Sequence, residues 1–193
     1  MEPIFTLPYS EYCVAQQLAK LLHSSQGYSL FAPLSRQEKG VDLIVTHRRE
    51  RLLRAASIQI KGSRTYSDVA KSGRGNRYKY YTWFNNFDLP KEADFVALIA
   101  IYPSDEARSS RARSSWWAPV ILLFTHAEMK RLLKSVKTRE GKPDRMFGFG
   151  FNKESAIFQT RGNRHGKHPD FSEHLLKEKI SFLRGFLMGA KER

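Results

Sequence analysis

Two apolar stretches of this chain are each broken by polar side chains at matched positions. The first reads Gly40-Val41-Asp42-Leu43-Ile44-Val45 and the second Ser57-Ile58-Gln59-Ile60-Lys61. If residues 41–46 and 56–61 pair as a hairpin with its turn centred on Glu50 and Arg51, Asp42 lies opposite Gln59 or Ile60. Side chains alternate between the faces of a strand, so Ser57, Gln59 and Lys61 share one face. With Val41, Leu43 and Val45 on the apolar side, Asp42 joins that polar row. A carboxylate, an amide oxygen and an ammonium then converge in one cross-strand neighbourhood. That trio suits phosphodiester hydrolysis, which needs an activated water, a Lewis acid and relief of charge on the leaving oxygen. Carboxylate and carbonyl oxygens hold a hard Mg2+, and an ammonium orients or deprotonates the water or steadies the pentavalent phosphate. The bland alternative is a surface hairpin with an ordinary Asp-Lys ion pair, since all three residue types are common on exposed faces. Context weighs against it: Gly40 ahead of the Asp, apolar neighbours in both stretches, a helical pattern upstream and a large excess of positive charge.

An Asp on one strand followed by an acid-x-Lys on the next is the core pattern of the PD-(D/E)XK nuclease superfamily, which this chain resembles from roughly Glu11 to about Phe124. Val41 stands where the family name has Pro, a position that carries no chemistry. Gln59 replaces the usual acid and removes one negative charge. The resemblance implies an α/β fold of restriction-endonuclease-like type, a three-layer sandwich with a central mixed sheet flanked by helices. It implies Asp42, Gln59 and the backbone carbonyl of Ile60 as ligands of Mg2+ or Mn2+, with Lys61 acting on the water or the phosphate. Glu11 is the candidate fourth member. Ala15, Leu18 and Leu22 follow it at spacings of four, seven and eleven, which sets this acid along the apolar side of the first helix. The family often has a Glu there near the metal, which would offset the charge missing at Gln59; a solvated acid at a helix N-terminus is the competing explanation. Gln17, close to the same side, is a weaker candidate.

Thirty-three Lys and Arg against nineteen Asp and Glu give a net charge of +14 over 193 residues. Such a field attracts polyanions, with DNA the leading partner and RNA an open one. A membrane is the rival polyanion, but no basic amphipathic helix with a Trp or Phe face is evident. Basic and aromatic residues interleave through Lys71, Arg74, Arg77, Tyr78, Lys79, Tyr80, Tyr81, Trp83 and Phe84, where cations can meet phosphates and rings can stack on bases. Alternatively the rings belong to the core and only the charges are exposed. Ser63 and Arg64 extend the Lys61 strand toward a scissile strand, and Arg108, Arg111 and Arg113 form a second basic cluster. The single cysteine, Cys13, cannot form an internal disulfide and reads as a small buried residue in a reducing compartment, with cytoplasmic location the simplest expectation. The N-terminus has no charged region followed by an apolar one, as a secretory signal would, and the apolar runs at 95–102 and 116–124 are too short to span a bilayer. A homodimer is compatible with these features.

One domain over 1–193 is expected. A first helix begins near Pro8 and runs to about His23, a strand follows at 28–32, and the Asp42 and Gln59 strands come next. Residues 62–80 and 104–115 read as basic loops. Strands are expected at 95–102 and 119–124, then a helix opened by the capping box of Thr125 and Glu128. A peripheral strand pair is expected at 146–151 and 156–160, and a last helix over about 171–187. His165, His168 and His174 have no cysteine or close acid to complete a tetrahedral metal set, so a basic loop is the better reading. Phe147-Gly148-Phe149-Gly150-Phe151 lacks the third glycine and the helix start of a dinucleotide fingerprint.

Overall fold

The computed structural model describes residues 9–33, 40–67, 77–103, 117–153, 155–163 and 168–189. Its helices are α1 (Tyr9–Leu21), α2 (His126–Ser135) and α3 (Leu176–Met188). Its strands are β1 (Tyr28–Phe31), β2 (Leu43–Arg49), β3 (Leu52–Ser63), β4 (Thr65–Ser67), β5 (Tyr80–Asn85), β6 (Phe95–Pro103), β7 (Trp117–Thr125), β8 (Met146–Phe151) and β9 (Ile157–Arg161). A meander of β1, β2 and β3 pairs antiparallel, with Glu50 and Arg51 forming the β2–β3 turn and Glu50 at φ 54°. Beyond it β3 pairs parallel to β6, and β6 antiparallel to β7, giving one mixed sheet in the order β1-β2-β3-β6-β7. The protein is therefore α/β, and the hairpin expected from the alternation is present with its turn where the sequence puts it.

The two faces of this sheet are covered differently. On one, Val14 and Leu18 of α1 and Leu183 and Leu187 of α3 pack on Leu43, Val45, Ile58, Ile60 and Ile99. Cys13 is buried there, and burial pushes its thiol pKa up against a smaller opposing hydrogen bond with Tyr9. The other face meets not a helical layer but a second, wholly antiparallel sheet, β4-β5-β8-β9, together with α2. This second sheet, which shares its side with α2, adds strands where the expectation had helices alone. It also corrects the basic loop at 62–80, which contains the end of β3, all of β4 and the start of β5, while 68–76 lies outside the described residues. The strand pair β8–β9 is real but not peripheral. Phe147, Phe149 and Phe151 all point inward and are completely buried against Val96, Leu98, Val120 and Leu122, and burying each such ring stabilises the fold by about 2–3 kcal/mol. Because β6 and β7 lie between both cores, they read as unbroken apolar runs.

The capping box forms: Glu128 N–H donates to Thr125 Oγ1 at 3.2 Å and Thr125 N–H to Glu128 Oε2 at 2.8 Å. The last helix is broken near its start. Asp170 accepts from Ser172 N–H at 2.7 Å, which organises a 3-10 turn at Ser172–His174, and extended Leu175 separates that turn from α3. The apolar stripe Leu175, Leu176, Ile180, Leu183 and Leu187 is buried throughout.

Candidate active site

Asp42 sits immediately before β2. Its N–H donates to Ile58 C=O at 3.0 Å, and its Oδ2 accepts the N–H of Ile60 at 2.6 Å. The β2–β3 ladder opens at Leu43 opposite Ile58, so one further step sets Asp42 opposite Gln59. Beyond that step this edge of β3 runs on without a strand partner among the described residues. Ile60, two residues after Ile58, turns its backbone groups to the same edge. The Asp42 carboxylate caps its N–H, and its carbonyl faces the same side.

Gln59 points away from α1 and α3 and is only 4% exposed. Its Oε1 is buried without a hydrogen-bond partner among the described residues. A buried amide oxygen left so costs on the order of 1–3 kcal/mol, and such an atom in a folded protein calls for a reason. Beside the amide, the turn at Gly40 meets the segment after β5. Gly40, at φ 88°, lies so close to Pro90 that an added Cβ would come within 2.2 Å of the Pro90 ring, and it would also stand 3.6 Å from Gln59 Nε2. The glycine thus supplies both the left-handed turn into Asp42 and the room for Pro90 to approach that turn.

Lys61, on the same face and half-buried, rests its Nζ 5.3 Å from the centre of the Phe87 ring. No ion pair joins it to Asp42, so the hairpin does not have the plain Asp-Lys pairing that would explain these residues as surface decoration. Ser57 begins the polar row. Its N–H lies 2.8 Å from Asp94 Oδ2, and its hydroxyl lies 2.5 Å from Glu92 C=O and accepts from Asp94 N–H at 3.0 Å. These bonds fasten β3 to the start of β6. Neither Asp94 nor Phe87 was singled out from the sequence, because each lies in a polar connection with no periodicity of its own.

The structure brings Asp42, Gln59, Ile60 and Lys61 together and leaves Glu11 in another layer. Glu11 is half-buried on α1, and Ser10 beside it lies against Gly62, where an added Cβ would meet Ser10 Cβ at 3.2 Å. The first turn of α1 is therefore over the same end of β3, but it covers the face opposite Gln59 and Lys61. Helical periodicity placed Glu11 on the buried side of its helix without telling which face of the sheet that helix would cover. Gln17 lines a shallow cleft with Leu21, Pro119 and Leu175, on the β7 side. Among the described residues no three His, Cys, Asp or Glu side chains form a metal-holding group. The oxygen donors present, one carboxylate, one amide and one backbone carbonyl, are of the hard type that Mg2+ or Mn2+ takes, with fewer charges than an all-acid set.

Of the proposed nucleic-acid contacts, Ser63 donates its hydroxyl to Trp83 C=O. Arg64 is exposed just past β3. Arg77 and Lys79 are exposed and lie over the rings of Tyr78 and Tyr80, at 5.7 and 5.2 Å. Lys71, Arg74, Arg108, Arg111 and Arg113 lie outside the described residues. The interleaved rings divide: Tyr78, Tyr80 and Phe84 are buried, which corrects their reading as base contacts, while Trp83 is exposed and stacks with exposed Tyr66. His168 Nδ1 is 3.0 Å from Tyr78 Oη, its pKa lowered by burial and then by Arg77 and Arg139. His174 is buried against Phe124, and His165 lies outside the described residues. No helix among the described residues is long and apolar enough to cross a membrane.

Comparison with known proteins found no family model, no curated protein and no solved structure that matches this chain.

Proposed function

We propose that this chain is a metal-dependent nuclease of the restriction-endonuclease-like fold, a Gln-x-Lys variant of the PD-(D/E)XK superfamily that hydrolyses DNA phosphodiester bonds in the cytoplasm. The observation that carries this reading is the Gln59 amide oxygen, buried and unpartnered, on the rung facing an Asp42 carboxylate that pairs with no cation among the described residues. Asp42, Gln59 and the Ile60 carbonyl would hold Mg2+ or Mn2+. The bound ion would supply Lewis acidity toward the phosphate and lower the pKa of a water. Asp42 is pinned through one oxygen by the Ile60 N–H, which keeps the other in a fixed direction. Lys61 is held by a ring rather than a carboxylate, so its ammonium remains available for a phosphate oxygen or the attacking water, and its flexible stem lets it reach either.

A second reading has its own observation. With Glu11 on the helical layer and Asp94 engaged by Ser57, Asp42 is left as the carboxylate on the rung of Gln59, and a cation bound there would be bound weakly. The chain would then be a nucleic-acid-binding protein that keeps the fold without the chemistry, on DNA or on RNA.

Incubation with linear, nicked, branched and single-stranded DNA and with RNA, in Mg2+, in Mn2+ and in EDTA, separates the two. Cleavage of at least one DNA form that needs the metal supports the enzyme. Retention of every substrate without cleavage supports the binder, and RNA bound in preference to DNA moves the function to RNA.

A further inference from the structure

The outer face of the second sheet carries a pattern that the candidate active site does not use. Register across β4, β5, β8 and β9 sets Tyr66 opposite Tyr81, Tyr81 opposite Gly150 and Gly150 opposite Phe158. Two residues along, Trp83 pairs with Gly148 and Gly148 with Arg161. Continuing the β4–β5 register one residue past Thr65 sets Arg64 beside Trp83. One rung is therefore aromatic, and the next is a tryptophan between two arginines.

The two glycines explain how the rings lie. Glycine inside a strand forfeits packing, and its presence there marks a close approach. A Cβ on Gly148 would come within 2.3 Å of Trp83 Cδ1, and one on Gly150 within 2.5 Å of Tyr78 Cδ2. Trp83 thus leans over β8 instead of standing off the sheet, and Tyr78 fills the gap between Tyr81 and Phe158, with ring centres 5.9 and 5.4 Å away. Tyr66 lies 4.7 Å from Trp83 at 33°, and both remain exposed, at 45% and 37%. A leaning ring turns part of its π face outward, and π faces are what unpaired bases stack on.

We infer that this face is a stacking platform for unpaired nucleotides, with Tyr66 and Trp83 taking bases and Arg64 and Arg161 the phosphates on either side. Charge complementarity selects the occupant. The chain carries +14, Arg64 is exposed, and Arg161 keeps its side chain 45% exposed although Asp144 accepts from its Nε at 3.3 Å. Duplex DNA buries its base faces and offers these rings nothing to stack on, so the platform discriminates for single strands. The inference stands whether or not Asp42 supports catalysis. Where it does, Arg64, three residues beyond Lys61 or roughly 10 Å along an extended strand, places the stacked bases close to the reacting phosphate.

The test is equilibrium binding of the full chain, in EDTA so that no cleavage intervenes, to fluorescent oligo(dT), oligo(U) and a duplex of equal length. Trp83→Ala and Tyr66→Ala are expected each to weaken single-strand binding tenfold or more, with duplex binding changed less than twofold. Trp83→Phe should keep most of it. Arg64→Ala with Arg161→Ala should lower the slope of log affinity against log salt by about 0.7 for each phosphate no longer neutralised. A preference between the two oligonucleotides says whether DNA or RNA is the natural strand. Trp83→Ala opens space above Gly148 and needs a circular-dichroism check, whereas Tyr66, more exposed, is the variant that decides if Trp83→Ala misfolds. Unchanged single-strand binding in folded Tyr66→Ala, or equal losses on single strand and duplex, overturns the inference. So does a dimer that Tyr66→Ala dissolves while oligonucleotide binding stays intact, since the face would then belong to a second copy. Failure here leaves metal-dependent cleavage to be judged separately.

Discussion

Among the described residues, the polar side chains around Glu128 and those around Gln59 are satisfied to different degrees. Around Glu128 both carboxylate oxygens are engaged. Oε2 takes the Thr125 N–H at 2.8 Å and Oε1 takes Lys179 Nζ at 2.7 Å. Burial works against the charged carboxyl, but the Lys179 hydrogen bond, the Thr125 N–H, and the charges of Lys179 and His174 together hold its pKa below the usual value. Around Gln59 the opposite holds among the described residues: an amide oxygen is orphaned, the Asp42 carboxylate has no cation, and the lysine sits on a ring. The Glu128 cluster, whose carboxylate is fully engaged although His174 Nδ1 beside it is buried without a hydrogen bond among the described residues, holds α2 to α3. A cluster that leaves its carboxylate and amide oxygens open is destabilised on its own, and functional sites are where such local rules are expected to fail.

Substitutions should therefore separate activity from stability in opposite ways. The largest effect falls on cleavage. Asp42→Ala and Lys61→Ala are each expected to lower it by at least a hundredfold, in keeping with loss of an ion's ligand or a general acid-base group. DNA affinity should stay near wild type, because it is spread over many cations. Cleavage at wild-type rate in either folded variant breaks the comparison at the Gln59 end.

Next in size is Glu128→Ala, which removes a capping residue and leaves Lys179 largely buried without its partner. We expect a loss of about 2–4 kcal/mol in urea denaturation, with cleavage intact at temperatures where the variant stays folded. A loss below about 0.5 kcal/mol would mean that solvent already screens this pair as it does at an open surface.

Smaller still are the effects at Gln59. Gln59→Met keeps the volume and removes the orphaned oxygen, so stability should be unchanged or raised by about 1 kcal/mol, while divalent-metal binding falls. Gln59→Glu should tighten metal binding, since ligand charge sets the affinity of hard cations. It need not speed turnover, because the new carboxylate would draw Lys61 to itself. Calorimetric titration in which wild type and both variants bind Mn2+ equally would remove Gln59 from the ion's shell.

How far the sequence exposed these features depended on whether the signal was local. The Asp42 hairpin was legible because period-two alternation on both sides of Glu50 and Arg51 leaves one register that buries Leu43, Val45, Ile58 and Ile60 together. The second sheet was not. Its strand β4 has only three residues, and β5 pairs with β8 across β6, β7 and α2. Phe147-Gly148-Phe149-Gly150-Phe151 does alternate, yet nothing local says that the phenylalanines face a core and the glycines a row of rings. At the site, residue types were readable and environments were not. That Gln59 is buried with an orphaned oxygen, and that Lys61 meets Phe87 instead of Asp42, depends on packing between distant segments, with Pro90 against Gly40 and Ser57 bonded to Glu92.

The least of the expected effects bears on the Glu128 cluster, through pH. His174 stacks on Phe124 with ring centres 4.3 Å apart, and its buried Nδ1 has no hydrogen bond among the described residues and lies 4.0 Å from Glu128 Oε2. Burial lowers its pKa below 6.5 and Lys179 lowers it further, together outweighing the upward pulls of Glu128, Glu173 and the Leu123 backbone. As pH falls through about 6.5, the unfolded chain takes up a proton at this position that the folded chain resists, so stability declines. His168, also lowered chiefly by burial, adds the same sign. Glu128 extends the decline at lower pH, since the unfolded carboxyl protonates near 4.5 while the folded one holds its charge. Urea midpoints should thus drop from pH 7 to pH 5. His174→Gln should flatten that drop, and His174→Gln with His168→Gln should flatten it further. If the single variant keeps the full slope, the cluster is not as dry as its geometry suggests, and the contrast with Gln59 narrows to the orphaned amide oxygen alone.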